Sequence, residues 1–390
     1  MTKLFVIDPV CAQQLGHNLA AMRYFISSIR QSGRFERVEG VCAQTLADVV
    51  AGEDIHPLFK FNYHNIFNIA PVQPLDATNV QSDRDYVLRS IADFRRLFRD
   101  LPVDADTVLF FPSADYYGIM GGLMALKDLP VAEAPRVILR MIGVLENSSR
   151  TPDGAAEAVN GLMREVIAAG YPVEVLAETP AYASHLAVAL DTQIKVAPYP
   201  VIDDLLPITK DDPLLIASLG SGRYDKGFLR LKSIFHKVIE KSEGLPLRFV
   251  VQNLPHAAAK PFVKYIAELS AIPGLTLASD VVTQHELSSY LRRARVIVTP
   301  YAQDVYALRG SAMLMEALSV GRPNVSEAGC GFSSQIGFYD CGILCQSDDD
   351  YADAILTYAR MEVDELNARM AQARARFVLD SDNIYASLWT

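Results

Sequence analysis

The sequence predicts an α/β fold built as two domains, and three observations lead to this prediction. Short apolar, β-branched runs alternate with amphipathic helical stretches in both halves, a pattern typical of parallel sheets. The chain has 390 residues, which is more than one hydrophobic core usually serves. A charged, proline-containing stretch from Asp203 to Asp212 separates the halves. We therefore predict a first domain over residues 1–205, a second over 206–378, and a last helix over 379–390 that crosses back to the first domain.

The first half begins with a buried strand that runs into a loop carrying Gly16 and His17. Asn18 is a natural N-cap for the helix that follows. Residues 45–80 are rich in aromatic and Asn side chains, which favours a strand followed by a lid-like loop. The other predicted strands of this half are Val38–Cys42, Thr107–Phe111, Arg136–Arg140, Val173–Leu176 and Lys195–Pro200. Its other predicted helices are 83–98, a short one after Gly118, 155–169 and one near His185.

The second half starts afresh with an apolar strand and a glycine-rich loop, as expected of a new α/β domain. Its predicted strands are Leu214–Leu219, Leu247–Gln252, Leu275–Ala278, Arg295–Thr299 and Cys341–Leu344. Its predicted helices are 228–239, 286–293, one from Ser311 to about Gly321, one opening at 347–350, 363–377 and 382–388.

Composition and charge exclude several classes of protein. The formal net charge is −10, which argues against general nucleic-acid binding. We expect the N-terminal apolar run to be a strand and not a signal peptide, and no apolar run in the sequence reaches the length of a membrane span. The five cysteines lack the spacing of a zinc site, so we expect reduced thiols in a cytoplasmic protein. Peripheral attachment to the inner face of a membrane stays compatible with this composition.

The stretch from Val298 to Pro323 combines a strand end, a polar loop and a helix start. Arg309, the bare amides at Gly310 and the Ser311 hydroxyl form a natural anion site, because free amides and the helix dipole favour negative charge. Glu316 lies roughly 7.5 Å further along the helix axis, a suitable distance between a phosphate and its ribose. Taken singly, Ser311 is typical of an N-cap residue. Glu316 and Arg309, taken singly, are typical of charged residues on the surface. Their joint placement after a strand indicates a phosphate site.

A second phosphate-compatible loop follows the strand at Leu214–Leu219. Gly220, Ser221 and Gly222 permit tight turns and close approach of a ligand. Arg223 offers a bidentate grip on phosphate, and Lys226 adds a point charge. The spacing matches neither a P-loop nor a full dinucleotide fingerprint, and glycines at such turns are commonly structural.

Two such loops in one domain suit a nucleoside diphosphate. Its ribose would lie near Glu316 and its base near the turn from Asp280 to Val282. No Asp-x-Asp motif occurs in a context suited to a metal, so we expect none to be required.

The second half resembles the donor domain of GT-B glycosyltransferases, specifically the large retaining group known as family 4. The resemblance covers about residues 214–360 and rests on motifs that occur in the family's order. These are Ser218-Leu-Gly-Ser-Gly-Arg-Tyr-Asp-Lys-Gly-Phe228, Val296-Ile-Val-Thr-Pro-Tyr301, Arg309-Gly-Ser-Ala312 and Glu316-Ala-Leu-Ser-Val-Gly-Arg-Pro323, and the last is the most specific. The first half resembles the family only in having the Gly16-His17 loop after its first strand.

The resemblance implies a GT-B fold, with two Rossmann-like domains facing each other across a cleft. It implies a nucleotide-sugar donor, such as a UDP- or GDP-sugar, a hydroxyl acceptor and retention of configuration, with no cofactor. Arg223 and Lys226 would bind the donor diphosphate, Glu316 the ribose, and the amides from Gly310 to Ala312 the phosphates. The residues predicted to bind the donor are Gly220, Ser221, Gly222, Val282, Tyr306, Arg309, Gly310, Ser311, Ala312 and Glu316.

One position departs from the family pattern. The family carries a first glutamate separated by seven residues from the position of Glu316, and this chain has Leu308 there. The sequence instead resembles a Tyr-x-x-Arg-x-Ser variant with Tyr306, Arg309 and Ser311. The identity of the donor sugar therefore stays open.

The first domain would bind the acceptor, which the sequence leaves open as a glycan in polysaccharide biosynthesis, a lipid-linked sugar or a protein. We place His17 among the catalytic residues with Arg223 and Lys226, since the first loop would face the cleft. The predicted acceptor-binding residues are Gly16, Asn18, Tyr117 and Arg140. A packing role for Tyr117 and an ion-pair role for Arg140 are the alternatives.

Three functions compete at this level. The first is a nucleotide-sugar glycosyltransferase. The second is a nucleotide-sugar epimerase of the same architecture, which needs acid/base carboxylates in the cleft that the sequence does not clearly provide. The third is a non-catalytic sugar- or nucleotide-binding domain of a glycan-assembly complex. The replacement at Leu308 favours the third function, whereas Arg223, Lys226 and Glu316 favour the first.

Overall fold

Two parallel sheets form the framework of the computed structural model. It describes residues 2–12, 18–61, 83–113, 115–146, 151–200, 204–210, 212–220, 222–254 and 260–389. Within these residues, one seven-stranded sheet and one six-stranded sheet are present. Predicted residues Gly16, His17 and Ser221, and the predicted lid-like loop after residue 61, lie outside the described residues.

The first sheet has the strand order β3-β2-β1-β4-β5-β6-β7. Leu4 of β1 pairs in register with Val38 of β2 and Val108 of β4. The strands are β1 (Lys3–Ile7), β2 (Arg37–Ala43), β3 (Ile55–Phe59), β4 (Thr107–Phe111), β5 (Arg136–Met141), β6 (Val173–Ala177) and β7 (Lys195–Val196). The helices between them are α1 (Asn18–Gln31), α2 (Asp83–Asp100), α3 (Tyr116–Leu126), α4 (Ala155–Ala168) and α5 (Pro180–Leu190).

The second sheet has the order β10-β9-β8-β11-β12-β13. Its strands are β8 (Leu214–Ser218), β9 (Leu247–Gln252), β10 (Leu275–Ala278), β11 (Ala294–Thr299), β12 (Asn324–Glu327) and β13 (Gly342–Cys345). The helices of this part are α6 (Leu231–Lys241), α7 (Lys260–Ser270), α8 (Gln284–Arg293), α9 (Gln303–Tyr306), α10 (Ala312–Ser319), α11 (Ser333–Tyr339), α12 (Asp348–Arg360) and α13 (Val363–Leu388). In both sheets the strand order reverses between the first and fourth strands, as in doubly wound folds.

Both faces of each sheet are covered by apolar clusters. Phe5 and Leu4 are consecutive in β1 and lie in two different clusters, because successive strand side chains point to opposite faces. The strands therefore read as near-continuous apolar runs, which is typical of parallel sheets buried on both sides. Within the described part of the chain, no helix combines the length and hydropathy that a membrane span requires.

The chain ends in one long helix, α13, where the sequence suggested two. Its buried positions Phe377, Ser381 and Tyr385 recur at four-residue spacing and carry the helix across the predicted break. Its start packs in the core of the second sheet, and its end packs beside the first sheet. There the Tyr385 hydroxyl donates to the Pro198 carbonyl at 2.7 Å.

Four elements were not predicted from the sequence. Strand β12 reads Asn-Val-Ser-Glu and carries little β-branched character, yet it lies between β11 and β13 and pairs with both. Its strand conformation is therefore set by its neighbours and not by its own propensity. Helices α7, α9 and α11 were also missed.

Candidate functional site

The two predicted phosphate loops meet at the point where the strand order of the second sheet reverses. Strands β8 and β11 are neighbours, and both run in the same direction. The glycine-rich loop leaves the carboxyl end of β8, and the loop to α10 leaves the carboxyl end of β11. Crevices at such reversal points are the usual ligand sites of open α/β sheets.

Arg223 connects the two loops directly. Its Nη2 donates to Asp225 Oδ2 at 2.7 Å and to the Tyr306 hydroxyl at 2.9 Å. Its Nε is buried and has no hydrogen-bond partner among the described residues. Buried donors are normally satisfied, so the unpartnered Nε marks Arg223 as a candidate contact for an anionic ligand.

Lys226 contacts the glycine-rich loop. Its Nζ donates to the Gly220 carbonyl and lies 5.7 Å from the centre of the Tyr301 ring. Burial lowers the pKa of Lys226 to about 7, and the charge of Arg223 adds to this, while Asp225 and Glu316 act in the opposite direction. An anionic ligand would favour the charged form, so ligand binding and protonation of this lysine are coupled.

Arg309 lies between the two sheets. Its guanidinium carbon is 5.6 Å from the centre of the Tyr306 ring, and its Nε donates to the Gly143 carbonyl at 3.2 Å. Burial lowers the pKa of this guanidinium. Arg309 therefore joins the candidate site to the loop after β5 of the first sheet.

Helix α10 begins beside these cations. Ser311 is its N-cap, and the Ser311 hydroxyl accepts from the Leu314 amide at 3.2 Å. Ala312 is its first residue, and Glu316 is buried on its second turn. Burial and the charge of Glu316 raise the pKa of Tyr199 well above its usual value, so this carboxylate lies close to the first domain. Ser311 thus fulfils the N-cap role, which the sequence also allowed.

The turn predicted to lie near the base follows β10. Asp280 and Val282 lie between β10 and α8, and the Val281 side chain is half exposed. The Asp280 carbonyl accepts from Gln252 Nε2 at 2.9 Å. Gln252 was not singled out from the sequence, because a lone glutamine at a strand end carries no motif.

The predicted acceptor-binding residues lie in the first domain, and two of them are buried. Tyr117 packs in α3 against Phe61, Tyr86 and Tyr116. Arg140 is 1% exposed and donates to the Pro112 and Ala197 carbonyls and to Glu178, each within 2.9 Å. These placements favour the packing role of Tyr117 and the ion-pair role of Arg140.

Asn18 occupies a different environment from these two residues. It begins α1, and its Nδ2 donates to Asp8 Oδ2 at 3.1 Å. Asp8 follows β1 and also accepts from the Val10 and Cys11 amides. Burial raises the pKa of Asp8 to about 7 despite these hydrogen bonds. Asn18 therefore anchors the end of the first loop at the carboxyl edge of the first sheet.

Leu308, at the position where the family pattern has a glutamate, packs against the core of the first domain. Its carbonyl accepts from the Thr179 hydroxyl at 2.8 Å, and the two residues are 129 positions apart in sequence. Leu308 therefore forms part of the contact between the domains. An apolar residue fits there because its side chain packs against an apolar core.

Glu178 is the second residue that the sequence did not single out. It follows β6 and is held by Arg140, with Nη2 to Oε1 at 2.9 Å. A Cβ atom added to Gly310 would lie 2.3 Å from the Glu178 carboxyl carbon. Gly310 is thus required for close approach of the two domains. Glu178 follows the end of a strand, and parallel strands place such residues at one edge of the sheet. This position is the signal in the sequence that could have identified Glu178.

The described residues contain no group of three or more His, Cys, Asp or Glu side chains placed to hold a metal ion. The cations near the two loops are Arg223, Lys226 and Arg309. The chemistry that this arrangement offers is therefore the binding and stabilisation of an anion by fixed positive charge.

Comparison with known proteins identifies relatives by structure alone. No protein-family model matches the chain, and no curated protein matches it. A sucrose-phosphate synthase from Thermosynechococcus elongatus superposes with a TM-score of 0.65 at 12% identity, covering 100% of this chain and 99% of that one. A UDP-forming α,α-trehalose-phosphate synthase from Burkholderia xenovorans gives 0.66 at 13% identity, with 100% and 97% covered.

A third similar structure is described as trehalose-6-phosphate from E. coli bound with UDP-2-fluoro glucose. Its TM-score is 0.66 at 12% identity, and 100% of this chain and 98% of that chain are covered. These similarities extend over the whole length and show that the chain has the GT-B fold. The fold class predicted from the sequence is confirmed.

Proposed function

We propose that this protein is a glycosyltransferase that moves a sugar from a nucleoside-diphosphate sugar to a hydroxyl acceptor with retention of configuration. The observation that carries the proposal is the meeting of two cationic loops at the reversal point of the second sheet. Arg223 spans them through its hydrogen bond to Tyr306. The full-length likeness to sugar-phosphate synthases supports the same class of reaction.

The donor would lie across the carboxyl ends of the neighbouring strands β8 and β11. Its diphosphate would contact Arg223, Lys226 and the amides at the start of α10. Its ribose would bind Glu316 and its base the turn at Val282. UDP- and GDP-sugars are the donors to test first, since similar structures include UDP-forming synthases and one bound with UDP-2-fluoro glucose.

Catalysis would come from electrostatics and orientation. As the glycosidic bond breaks, negative charge develops on the departing diphosphate, and fixed cations in a closed cleft stabilise it without reorganising. The acceptor hydroxyl would be held in attacking position by the facing domain. Arg309 and its contact with Gly143 place a cation where the domains meet.

The acceptor would bind at the carboxyl edge of the first sheet. The first loop, with Gly16, His17 and Asn18, is the proposed contact, because Asn18 is fixed at that edge by Asp8. The proposed acceptor is the hydroxyl of a glycan, a lipid-linked sugar or a protein, and polysaccharide biosynthesis is the proposed context.

A thermal-shift experiment tests the donor site. The melting temperature is measured with UDP, GDP, ADP, TDP and CMP for the wild type and for Arg223→Ala, since a ligand of the folded state raises it. We expect one diphosphate to stabilise the wild type and to lose this effect in the variant. Arg248→Ala is the matched control, because Arg248 is exposed near the opposite end of β9. Stabilisation that survives in Arg223→Ala, or is absent with every nucleotide, would overturn the proposal.

A further inference from the structure

Gln252 links the glycine-rich loop to the turn predicted to lie near the base. It is the last residue of β9, the strand between β8 and β10. Its Oε1 accepts from the Gly220 amide at 2.8 Å, and its Nε2 donates to the Asp280 carbonyl at 2.9 Å. One side chain therefore connects the segments that follow both neighbouring strands.

The chemistry of these contacts requires an amide at this position. One partner is a backbone donor and the other is a backbone acceptor, so the orientation of the Gln252 amide is fixed by both. A carboxylate would still accept from Gly220 but would face the Asp280 carbonyl without a proton to donate. The side chain is 8% exposed, and buried hydrogen bonds of this kind are costly to leave unmade.

A second connection made by the backbone runs beside the first. The Asn253 carbonyl accepts from the Gly222 amide at 3.1 Å, and the Asn253 amide donates to the Ala278 carbonyl at 3.2 Å. A Cβ atom added to Gly222 would lie 2.8 Å from the carbonyl oxygens of Gln252 and Asn253. This connection does not depend on the Gln252 side chain, so removal of that side chain should leave β8, β9 and β10 paired.

The glycine-rich loop is also tied to the proposed diphosphate contacts. Lys226 donates to the carbonyl of Gly220, whose amide Gln252 holds. Gln252 thus lies between a cation proposed to bind phosphate and the turn proposed to contact the base. The distance between these two parts of the site must match the length of a nucleoside diphosphate.

We infer that Gln252 is a positioning residue. It fixes the glycine-rich loop relative to the turn from Asp280 to Val282 and so favours binding of nucleoside diphosphates over free pyrophosphate. The inference rests on the proposed function. It concerns the coupling between two parts of the site and not the contacts of either part. The loss of Gln252 should therefore weaken ligands that span both parts and spare a ligand that occupies only the phosphate part.

Isothermal titration calorimetry tests this inference with UDP, GDP and inorganic pyrophosphate as probes. We expect Gln252→Leu to weaken binding of the preferred nucleoside diphosphate by about tenfold, as two buried hydrogen bonds are lost, and pyrophosphate by less than about threefold. Gln252→Glu keeps the Gly220 contact, so its affinity for the nucleoside diphosphate should lie between those of Gln252→Leu and the wild type. It also serves as the working variant should Gln252→Leu fail to fold.

Asn367→Leu is the matched control. The Asn367 side chain likewise accepts from one backbone amide and donates to one carbonyl, both of Ile208, at 2.9 and 2.8 Å. Its removal should leave the ratio of the two affinities unchanged. Equal weakening of nucleotide and pyrophosphate in the Gln252 variants, or no weakening, would overturn the inference alone. A wild type that binds neither UDP nor GDP would overturn the proposed function and the inference with it.

Discussion

Lys226 gives the proposed donor site a pH dependence that can be measured. Burial lowers the pKa of the free lysine to about 7, far below its usual range. A bound diphosphate would stabilise the ammonium form and raise this pKa again. Binding therefore takes up a proton at any pH between these two values, and affinity must fall as pH rises through that window.

The magnitude follows from the fraction of lysine that is charged before binding. Between pH 7 and pH 9 this fraction falls from about one half to about one hundredth, so affinity should fall by up to about 50-fold. The terminal phosphate ionises near pH 6, so it contributes little change in this interval. Proton uptake near pH 9 should approach about one per ligand.

Calorimetric titration in two buffers of different ionisation enthalpy measures affinity and proton uptake together. Lys226→Arg is the matched control, because a guanidinium stays charged throughout and should show neither effect. A wild type whose affinity stays constant from pH 7 to pH 9 without proton uptake would refute the assignment of Lys226 to the diphosphate.

Three further predictions concern buried contacts of the first domain, both internal and with the rest of the chain. Trp389→Ala removes a ring that packs 5.4 Å from Phe110 and should lower the free energy of unfolding by about 3 kcal/mol, measured by urea denaturation. Arg140→Met leaves the buried Glu178 carboxylate unpaired, and the same measurement should show a loss of about 3 kcal/mol. Gly310→Ala places a methyl group 2.3 Å from the Glu178 carboxyl carbon and should lower the melting temperature, with a loss of about 1–3 kcal/mol.

Each of these variants has a control in the same chain. Leu379 lies on α13, the helix that Trp389 caps, and is 63% exposed. Leu379→Ala should therefore change stability little, and an equal loss would contradict the packing argument. Glu178→Gln should recover part of the loss caused by Arg140→Met, and no recovery would argue against the buried charge as its cause. Gly337→Ala meets no atom within 4 Å in α11 and should be neutral or stabilising. A Gly310→Ala protein as stable as this control would refute the close approach.

The sequence was sufficient to predict the parts of the fold that depend on local pattern. Apolar runs and helix periodicity predicted the alternation of strands and helices. The proximity of the loops around Gly220 and Arg309 could also be anticipated, because parallel strands place their carboxyl ends at one edge. Strand β12 could not be predicted, since its conformation depends on pairing with its neighbours.

The parts of the candidate site that escaped prediction depend on contacts between distant segments. Glu178 and Gly310 lie close only because two domains meet, and no local motif marks that pairing. Gln252 acts through two backbone groups that are remote in sequence, so its residue type alone carries little information. Arg140 was placed among the acceptor-binding residues from its position at a strand end, with an ion-pair role as the alternative. Its nitrogens donate to the Pro112 and Ala197 carbonyls and to Glu178, contacts that the sequence does not specify.

The most direct test of glycosyl transfer is a turnover assay followed by NMR. The wild type and Lys226→Ala are incubated with the nucleotide sugar that the thermal-shift panel selects, with hydroxyl acceptors and without them. We expect the wild type to release nucleoside diphosphate and attach the sugar to a hydroxyl with its anomeric configuration retained. Lys226→Ala should be slower by about 100-fold while it remains folded. An epimerised sugar still attached to its nucleotide, or tight binding with no turnover under any condition, would contradict the proposal.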